Sequence, residues 1–474
     1  MTDGVAATGG GDALAGVDGD AEVRAALARH LREAPEHALH RMNPYAFAEA
    51  HGLAVAAVID VFLRAAAAGV LLIEWNLVCS CCAKLFRSLR ALGEVAAHFT
   101  CDLCRFDTTT TLDDSVHITF TVSPRVRTIR FHDPGALTAE EYYQHVLFTG
   151  DGVFPGGLSL PDGWRFMFRQ FIALDPGERR TFVEAIAPGE VHVLDFRGPA
   201  FASWECRSDE GDTSRALSVR DAAIEAPEGP LRAGPVELAV TNATTRRTFF
   251  AVQTVAYEGM EDYEPPVITY APHLSARELL ATQAFRALFR FEAVRAGEGL
   301  LVRDVTLLFT DLRGSIELYE RVGDVNAFAL VQQHFVVLEG AVRRRRGAIV
   351  KTIGDAVMAT FLDAADALAA GLDMLAGVAE LNARLGRDDV RLKLGIHRGP
   401  AIAVAQNDKA DYFGQTVNLA ARVQSVARVG EICLSSRAFE APGVAELVSD
   451  CTVERDAVVL RGLASAMIVH RVRP

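Results

Sequence analysis

The order of strands and helices after residue 302 constrains the fold more than any other feature of the sequence. An apolar strand runs from residue 304 to Asp311, and a glycine-containing turn leads into helical periodicity. The pattern then predicts a strand hairpin over 349–361, a helix over 363–384, strands at 391–397 and 400–405, and a turn and helix within 411–424. This alternation predicts an α+β domain with a ferredoxin-like βαββαβ core and additions.

Three charged residues stand out within this pattern. Lys351 interrupts an otherwise apolar strand, Asp355 lies at the tip of the following hairpin turn, and Asp311 ends the preceding strand. Because those strands are neighbours in a ferredoxin-like sheet, both carboxylates should lie at one sheet edge, where a pair of hard cations can bind. The alternative is an ordinary hairpin turn and two surface aspartates at strand ends.

Four segments resemble, in order, the catalytic domain of the class III nucleotidyl cyclases: TLLFTDLRGSIELYERVGD, IVKTIGDAVMATF, LKLGIHRGPAI and DYFGQTVNLAARV. The resemblance covers about residues 302–472, just over a third of the chain. The preceding region looks like the poorly characterised N-terminal part of some bacterial cyclases.

The resemblance implies metal-binding and catalytic roles for four residues. Asp311 and Asp355 match the metal-binding aspartates of the family, which hold two Mg²⁺ or Mn²⁺ ions per active site. Asn418 matches the residue that orients the ribose, and Arg422 matches the residue that donates to the α-phosphate in the transition state. Asn418 and Arg422 are four positions apart, so they share one helix face.

Two further residues match the pair that selects the base. Lys351 and Asp411 offer a donor and an acceptor, respectively. Adenine presents a ring-nitrogen acceptor and an amino donor, whereas guanine reverses both at those edges. The pair therefore favours adenine, and the Glu and Cys-like pair that selects guanine in the family does not stand at these positions.

Further substrate contacts and an oligomer are also predicted. Gly314 and Ser315 open a helix whose backbone N–H groups can receive phosphate oxygens, and Lys409 and Arg461 are the cations offered for the triphosphate. In the family each active site forms between two catalytic domains, one supplying the metal aspartates and the other the remaining residues. This chain holds both sets in one domain, so the resemblance implies a homodimer that binds ATP.

The predicted function is therefore that of an adenylate cyclase, which converts ATP to 3′,5′-cyclic AMP and pyrophosphate by in-line attack of the ribose 3′-hydroxyl. Two alternatives stay open at this point. One is a guanylate or relaxed-specificity cyclase. The other is a non-catalytic nucleotide sensor or a winged-helix regulator.

Two cysteine pairs predict a separate structural metal site. Cys79 and Cys82 are separated by two residues, as are Cys101 and Cys104, and eighteen residues lie between the pairs. This spacing is typical of a closed four-thiolate zinc site, which needs no open position. Cys81 and His98 are spare ligands in the sequence, and the alternative is four buried free thiols.

Composition and periodicity divide the chain into predicted modules. These are a disordered tail at 1–19, a winged-helix-like module at 20–77, a zinc-ribbon-like module at 78–110, a β-rich, sandwich-like domain at 111–258, a linker and transducer helix at 259–301, and the cyclase domain at 302–474. The transducer helix is predicted to begin at the capping box Ser275–Glu278 and to end near Val294. We expect these modules to regulate the cyclase through a ligand or protein partner that the sequence leaves unknown.

Charge and hydropathy argue against nucleic-acid and membrane partners. The formal net charge is −13, which disfavours binding of a polyanion through global charge. The predicted recognition helix, about 54–68, has Arg64 as its one cation and also carries Asp60, so DNA binding is not predicted. No apolar run follows a basic start, so the sequence predicts a cytoplasmic protein without a signal peptide or a membrane span.

Overall fold

The protein is described by a computed structural model that covers residues 14–256, 267–314, 320–388, 390–460 and 465–474. The chain forms two compact units. The N-terminal unit comprises Met1–Ser88, His98–Thr109 and Thr119–His273, and the C-terminal unit comprises Leu89–Ala97, Thr110–Ile118 and Leu274–Pro474. The first thirteen residues of the predicted tail lie outside the described residues.

Three helices open the N-terminal unit: α1 (Ala21–Glu33), α2 (Pro44–His51) and α3 (Val55–Ala67). Asp20 caps α1 by accepting from the backbone N–H groups of its first turn, and Asn43 caps α2 in the same way. Gly52 ends α2 in the left-handed conformation, with a φ of 65°. The apolar face of α3 is buried, and Phe62 meets Phe120 edge to face at 5.3 Å.

Short strands follow: β1 (Leu71–Val78), β2 (Leu85–Leu89), β3 (His98–Thr100), β4 (Asp107–Thr109) and β5 (Val116–Val122). β1 lies between β2 and β5, and β3 pairs with β4. Two short helices, α4 (Ala139–His145) and α5 (Leu160–Trp164), lie within the region predicted to be β-rich, and β6 (Gly152–Val153) lies between them. α4 begins at a capping box formed by Thr138 and Glu141.

Two stacked sheets form the rest of the N-terminal unit. Their strands are β7 (Phe168–Leu174), β8 (Arg179–Ile186), β9 (Gly189–Asp195), β10 (Phe201–Arg207), β11 (Ser214–Val219), β12 (Ile224–Glu225), β13 (Leu231–Arg232), β14 (Gly234–Asn242) and β15 (Thr248–Ala256). One sheet has the order β13-β10-β9-β15-β7 and the other β12-β11-β14-β8. Val193 and Phe250 of the first sheet share a buried core with Leu217 and Leu238 of the second. The predicted sandwich-like architecture is therefore confirmed in this region.

The segment before the C-terminal sheet holds β16 (Thr269–Tyr270), β17 (Leu274–Ser275), α6 (Ala276–Leu280) and α7 (Gln283–Leu288). Ser275 caps α6 as predicted, but the single helix extending to Val294 is wrong. The helix breaks at Thr282, whose hydroxyl donates to the Glu278 carbonyl. The Arg286 side chain donates to the Leu280 carbonyl at 2.7 Å.

One sheet organises the C-terminal unit. Its strands are β18 (Leu300–Leu312), β19 (Ala348–Ile353), β20 (Ala356–Phe361), β21 (Leu392–Gln406), β22 (Lys409–Phe413), β23 (Ile432–Ser435), β24 (Thr452–Val458) and β25 (Met467–Arg473). The order is β19-β20-β18-β21-β23-β25-β24, and β22 pairs with β21. The strands predicted at 391–397 and 400–405 are one strand, because a register shift in β18 between Val302 and Val305 accommodates the Gly399–Pro400 step.

Helices cover this sheet: α8 (Asp324–Arg344), α9 (Ala364–Leu385), α10 (Gln415–Ser425), α11 (Ser436–Phe439) and α12 (Val444–Leu447). α8 is the one helix in the described residues that is long and apolar enough to cross a membrane. Leu338 of α8 and Met374 of α9 nevertheless pack in the same buried core as Leu308 and Ile396 of the sheet. α8 is therefore a core helix of this domain.

The other face of the sheet carries α10. Leu394 and Ile396 face the core of α8 and α9, so Gly395 between them faces α10. A Cβ atom at Gly395 would lie 2.2 Å from the backbone nitrogen of Gln424. The absence of a side chain at this position lets α10 lie directly on β21. The predicted α+β architecture of the C-terminal unit is confirmed.

Candidate active site and candidate metal centre

Asp311 and Asp355 lie at one edge of the C-terminal sheet. β18 and β20 are antiparallel neighbours with Phe309 opposite Met358, and each aspartate lies two or three residues beyond that pair. The turn that carries Asp355 is made by Gly354, whose φ is 64°. Oδ2 of Asp355 is buried and has no hydrogen-bond partner among the described residues. A buried carboxylate oxygen without a donor suits a cation ligand.

Lys393 is a site residue that the sequence reasoning missed. It lies opposite Asp311 on β21, and its Nζ is 2.7 Å from Asp311 Oδ2. The signal was present in the sequence, since Lys393 is a cation between the apolar residues Leu392 and Leu394, and Lys351 likewise interrupts an apolar strand. The ion pair places positive charge at the sheet edge that carries both aspartates.

Lys351 and Asp411 form a direct ion pair. Lys351 Nζ is 2.5 Å from Asp411 Oδ2 and donates to Gln406 Oε1 at 3.3 Å. The register of β19 shifts between Ile349 and Lys351, a bulge of the kind that re-aims the next side chain. The backbone N–H of Tyr412 donates to the second carboxylate oxygen of Asp411 at 2.8 Å. The cation in the apolar strand thus meets the acidic residue with which the sequence analysis paired it.

α10 presents Asn418 and Arg422. Asn418 is exposed and Arg422 is half-buried, and neither side chain has a hydrogen-bond or ion-pair partner in the described part of the chain. The same part shows no such contact between either residue and the two aspartates at the sheet edge. Both polar groups remain available to a ligand.

The other predicted substrate contacts fall in three places. Gly314 follows β18 with a φ of 74°, in the left-handed region that favours glycine. Lys409 is exposed at the start of β22. Ser315 and Arg461 lie outside the described residues.

Four cysteines of the N-terminal unit come together. The Sγ atoms of Cys79, Cys82, Cys101 and Cys104 all lie within 4.8 Å of one another. Cys79 Sγ is 3.6 Å from Cys104 Sγ, and Cys82 Sγ is 3.7 Å from Cys101 Sγ. All four are free thiols. Sulfurs about 2.3 Å from a tetrahedral ion would be about 3.8 Å apart, so the arrangement fits one zinc ion.

The two cysteine pairs have the same backbone. The Cys79 N–H donates to the Lys84 carbonyl, and the Cys79 carbonyl accepts from the Ala83 N–H. Cys101 makes the same two bonds, with Phe106 and Arg105. In each, the residue after the second cysteine is left-handed, with a φ of 54° at Ala83 and 58° at Arg105. Two copies of one loop therefore aim their thiols at a common point.

A buried ion pair joins these two loops. Lys84 follows the first loop and pairs with Asp102 inside the second, and the Lys84 side chain is 2% exposed. Burial lowers the pKa of Lys84, but the charges of Asp102 and Cys101 outweigh it and leave the pKa raised. Trp164 Nε1 donates to the Cys82 carbonyl at 3.0 Å. Neither Lys84 nor Asp102 was singled out from the sequence.

The match to a family model identifies the C-terminal unit as a cyclase-type domain. Residues 301–471 match the family model described as the adenylate and guanylate cyclase catalytic domain, which confirms the resemblance found in the sequence. Residues 14–287, more than half of the chain, match the model of a family of unknown function, DUF5939. The protein belongs to the DUF5939 family and carries a cyclase catalytic domain after that region.

Named relatives match about a third of the chain. Adenylate cyclase 2 of Rhizobium meliloti (strain 1021) is 31% identical over 167 residues, covering 33% of this chain and 45% of that protein. A pH-sensitive adenylate cyclase of Mycobacterium tuberculosis (strain CDC 1551 / Oshkosh) is 34% identical over 167 residues, covering 33% of this chain and 39% of that protein. The chain therefore spans less than half the length of these relatives. The crystal structure of the adenylyl cyclase CyaB from P. aeruginosa covers 37% of this chain and 96% of its own, at 23% identity and a TM-score of 0.33.

Proposed function

We propose that the protein is an adenylate cyclase that converts ATP to 3′,5′-cyclic AMP and pyrophosphate. The observation that carries the proposal is the contact of Lys351 Nζ with Asp411 Oδ2 at 2.5 Å. The pair offers an ammonium donor and a carboxylate acceptor side by side, which is the pattern complementary to the acceptor and donor of adenine. The Lys351 side chain is 34% exposed, so a base can reach the pair from solvent.

Asp311 and Asp355 are the residues that would hold the divalent cations. The unpartnered, buried Oδ2 of Asp355 and the position of Asp311 on the neighbouring strand support this assignment. When bound, Mg²⁺ or Mn²⁺ would supply Lewis acidity for the ribose 3′-hydroxyl and charge to hold the triphosphate. Lys393 balances the charge of Asp311 and adds a cation at the edge where the phosphates would lie.

The other residues of the chain position the reacting groups. Asn418 would orient the ribose, and Arg422 would donate to the α-phosphate as negative charge grows there. In the reaction the 3′-oxygen forms a bond to the α-phosphorus, the bond from that phosphorus to the pyrophosphate oxygen breaks, and the hydroxyl proton is released. Gly314, Ser315, Lys409 and Arg461 remain predicted phosphate contacts.

We place the active site between two copies of the chain. In the described residues the aspartates of the sheet edge have no contact with Asn418 or Arg422, and the family builds each site from two domains. The cross-strand pair Ile402 and Phe413, beside Asp411, is exposed, with Phe413 67% exposed. A symmetric dimer would cover apolar side chains of this kind and would complete two sites.

For the N-terminal unit we propose one structural Zn²⁺ on Cys79, Cys82, Cys101 and Cys104 and a regulatory role. The two identical loops and the sulfur separations support the zinc site. Metal analysis of the purified protein should find one zinc per chain, and none after a Cys79→Ser/Cys82→Ser double substitution. Zinc that persists in that variant would contradict the assignment.

Cyclic nucleotide production by the purified full-length protein tests the catalytic proposal. ATP and GTP are supplied in parallel with Mg²⁺ or Mn²⁺, and Asp355→Ala serves as the blank. We expect cyclic AMP from the wild-type protein and none from the variant. A folded dimer that forms no cyclic nucleotide, or forms mainly cyclic GMP, would overturn it.

A further inference from the structure

Gln406 occupies a fixed place beside the base-selecting pair. It ends β21 and lies opposite Lys409 on β22, across the turn made by Asn407 and Asp408. Both turn residues have positive φ, 51° and 57°, which is typical of the tight turn that sets hairpin register. Two residues back, Val404 lies opposite Asp411. Gln406 and Asp411 are therefore diagonal neighbours on one face of the hairpin.

Lys351 reaches both side chains from a third strand. Its Nζ contacts Asp411 Oδ2 at 2.5 Å and Gln406 Oε1 at 3.3 Å. Asp411 is 6% exposed and is held by the Tyr412 backbone N–H, so it cannot follow the ammonium if the pair opens. Gln406 is exposed and can follow the ammonium as it moves.

Base binding would require the pair to open. An adenine ring nitrogen would take one proton of the ammonium, and the adenine amino group would donate to the Asp411 carboxylate. The direct contact between Lys351 and Asp411 cannot persist unchanged when both groups bind the base. Among the described residues, Gln406 Oε1 is then the acceptor that still contacts the ammonium.

We propose that Gln406 is a positioning residue that keeps the Lys351 ammonium aimed at the base, and so sets the preference for adenine over guanine. The inference rests on the proposed function and deepens it. Gln406 also lies between two cations, since Lys409 is directly opposite it. Its amide oxygen accepts from the Lys351 ammonium, and this acceptor is what the proposal requires.

The kinetic constants of Gln406 variants test this inference. Gln406→Met keeps the length of the side chain and removes the acceptor, whereas Gln406→Glu keeps an acceptor. Asp408→Asn, in the turn of the same hairpin, is the matched control. We expect Gln406→Met to raise KM for ATP about tenfold with kcat within about threefold, and to reduce the ATP to GTP preference about tenfold. Gln406→Glu should stay within about threefold of the wild-type KM, and Asp408→Asn should match the wild type.

Binding measured apart from turnover separates this inference from the proposed function. Equilibrium dialysis with ATP and with GTP gives the base preference of the full-length protein whether or not it turns over. Loss of that preference in Gln406→Met would support the inference even in a chain that forms no product. An unchanged KM and ATP to GTP ratio in Gln406→Met would overturn it, as would an equal loss in Asp408→Asn.

Discussion

Two lysine–aspartate pairs in different units have opposite surroundings. Lys351, paired with Asp411 in the C-terminal unit, is 34% exposed, whereas Lys84, paired with Asp102 in the N-terminal unit, is 2% exposed. Lys84 lies between the buried residues Ala83 and Leu85, whereas the residues beside Lys351 are half-buried or exposed. A partly exposed pair can open to a ligand, because water solvates the separated charges. A buried lysine cannot lose its partner without leaving an unpaired charge, so its pair holds structure together.

Replacing the lysine of the C-terminal pair by methionine should produce the largest effect. Lys351→Met removes the donor to adenine, and we expect kcat/KM for ATP to fall by about 100-fold or more. The lost ammonium is partly exposed, but the Asp411 carboxylate that it leaves is 6% exposed and keeps only the Tyr412 N–H, so we expect stability to fall by about 1 kcal/mol. Steady-state kinetics and urea unfolding of the same preparation measure both. A stability loss as large as the activity loss would make this pair structural too.

Lys84→Met should have the reverse pattern. It leaves the Asp102 carboxylate without its partner beside the thiol cluster, and we expect unfolding of the N-terminal unit to be easier by about 3 kcal/mol. Trp164, which bonds to the Cys82 carbonyl, is a fluorescence reporter close to the change. Thermal unfolding followed by tryptophan emission, together with zinc content, checks the result. An unchanged transition would mean that the buried pair contributes no net stability.

Buried histidines distinguish the C-terminal unit by its pH response. Burial lowers the pKa of His334 to about 4, against a weaker opposing hydrogen bond with the Val331 backbone. Burial, with Arg437 nearby, also lowers the pKa of His397 to about 4. Between pH 6.5 and pH 4 these histidines are protonated in the unfolded chain but neutral in the folded chain. The free energy of unfolding therefore falls as the pH drops from 6.5 towards 4.

The expected loss from His334 is roughly 2 kcal/mol between pH 7 and pH 5. Urea unfolding at both values, in the wild type and in His334→Met, measures it. The variant should lose roughly 2 kcal/mol less stability over that interval. Equal pH dependence in the two proteins would show that this histidine does not titrate differently on unfolding.

The smallest effect is expected at a third ion pair, on the surface. Arg345 donates twice to Asp373, at 3.0 Å each, and its side chain is 44% exposed. Arg345→Met should cost less than about 1 kcal/mol and should lose that effect in high salt. Urea midpoints at low and high salt check this. If Arg345→Met lost as much stability as Lys84→Met, the stability that an ion pair contributes would not depend on its burial.

Local patterns predicted the elements with strong periodicity or sharp caps. The Ser275 cap, the Gly354 hairpin and the helix over 363–384 could be predicted directly, because side-chain periodicity, caps and turn residues are local signals. The break in the helix near Thr282 could not be predicted in this way. It depends on a hydrogen bond from the Arg286 side chain to the Leu280 carbonyl, six residues earlier. The sequence also placed the four cysteines together, since their spacing is itself the signal.

Pairings between distant residues escaped the sequence reasoning. Lys393 contacts Asp311 only through the register of β18 on β21, and Lys84 contacts Asp102 only after two loops meet. Gln406 is uncharged and belongs to no recognised motif. Its contact with Lys351 depends on the bulge in β19 and on the turn between β21 and β22. Such contacts are fixed by register, which a period-two pattern leaves open.

Competition between the two nucleotides tests the central claim most directly. The full-length protein is given ATP and GTP together at equal concentration, and the ratio of cyclic AMP to cyclic GMP is measured. The double variant Lys351→Glu/Asp411→Cys is run beside it. The account predicts an excess of cyclic AMP of about 100-fold for the wild type and a reversed ratio for the double variant. Equal products from the wild type, or a ratio unchanged in the double variant, would contradict base selection by Lys351 and Asp411.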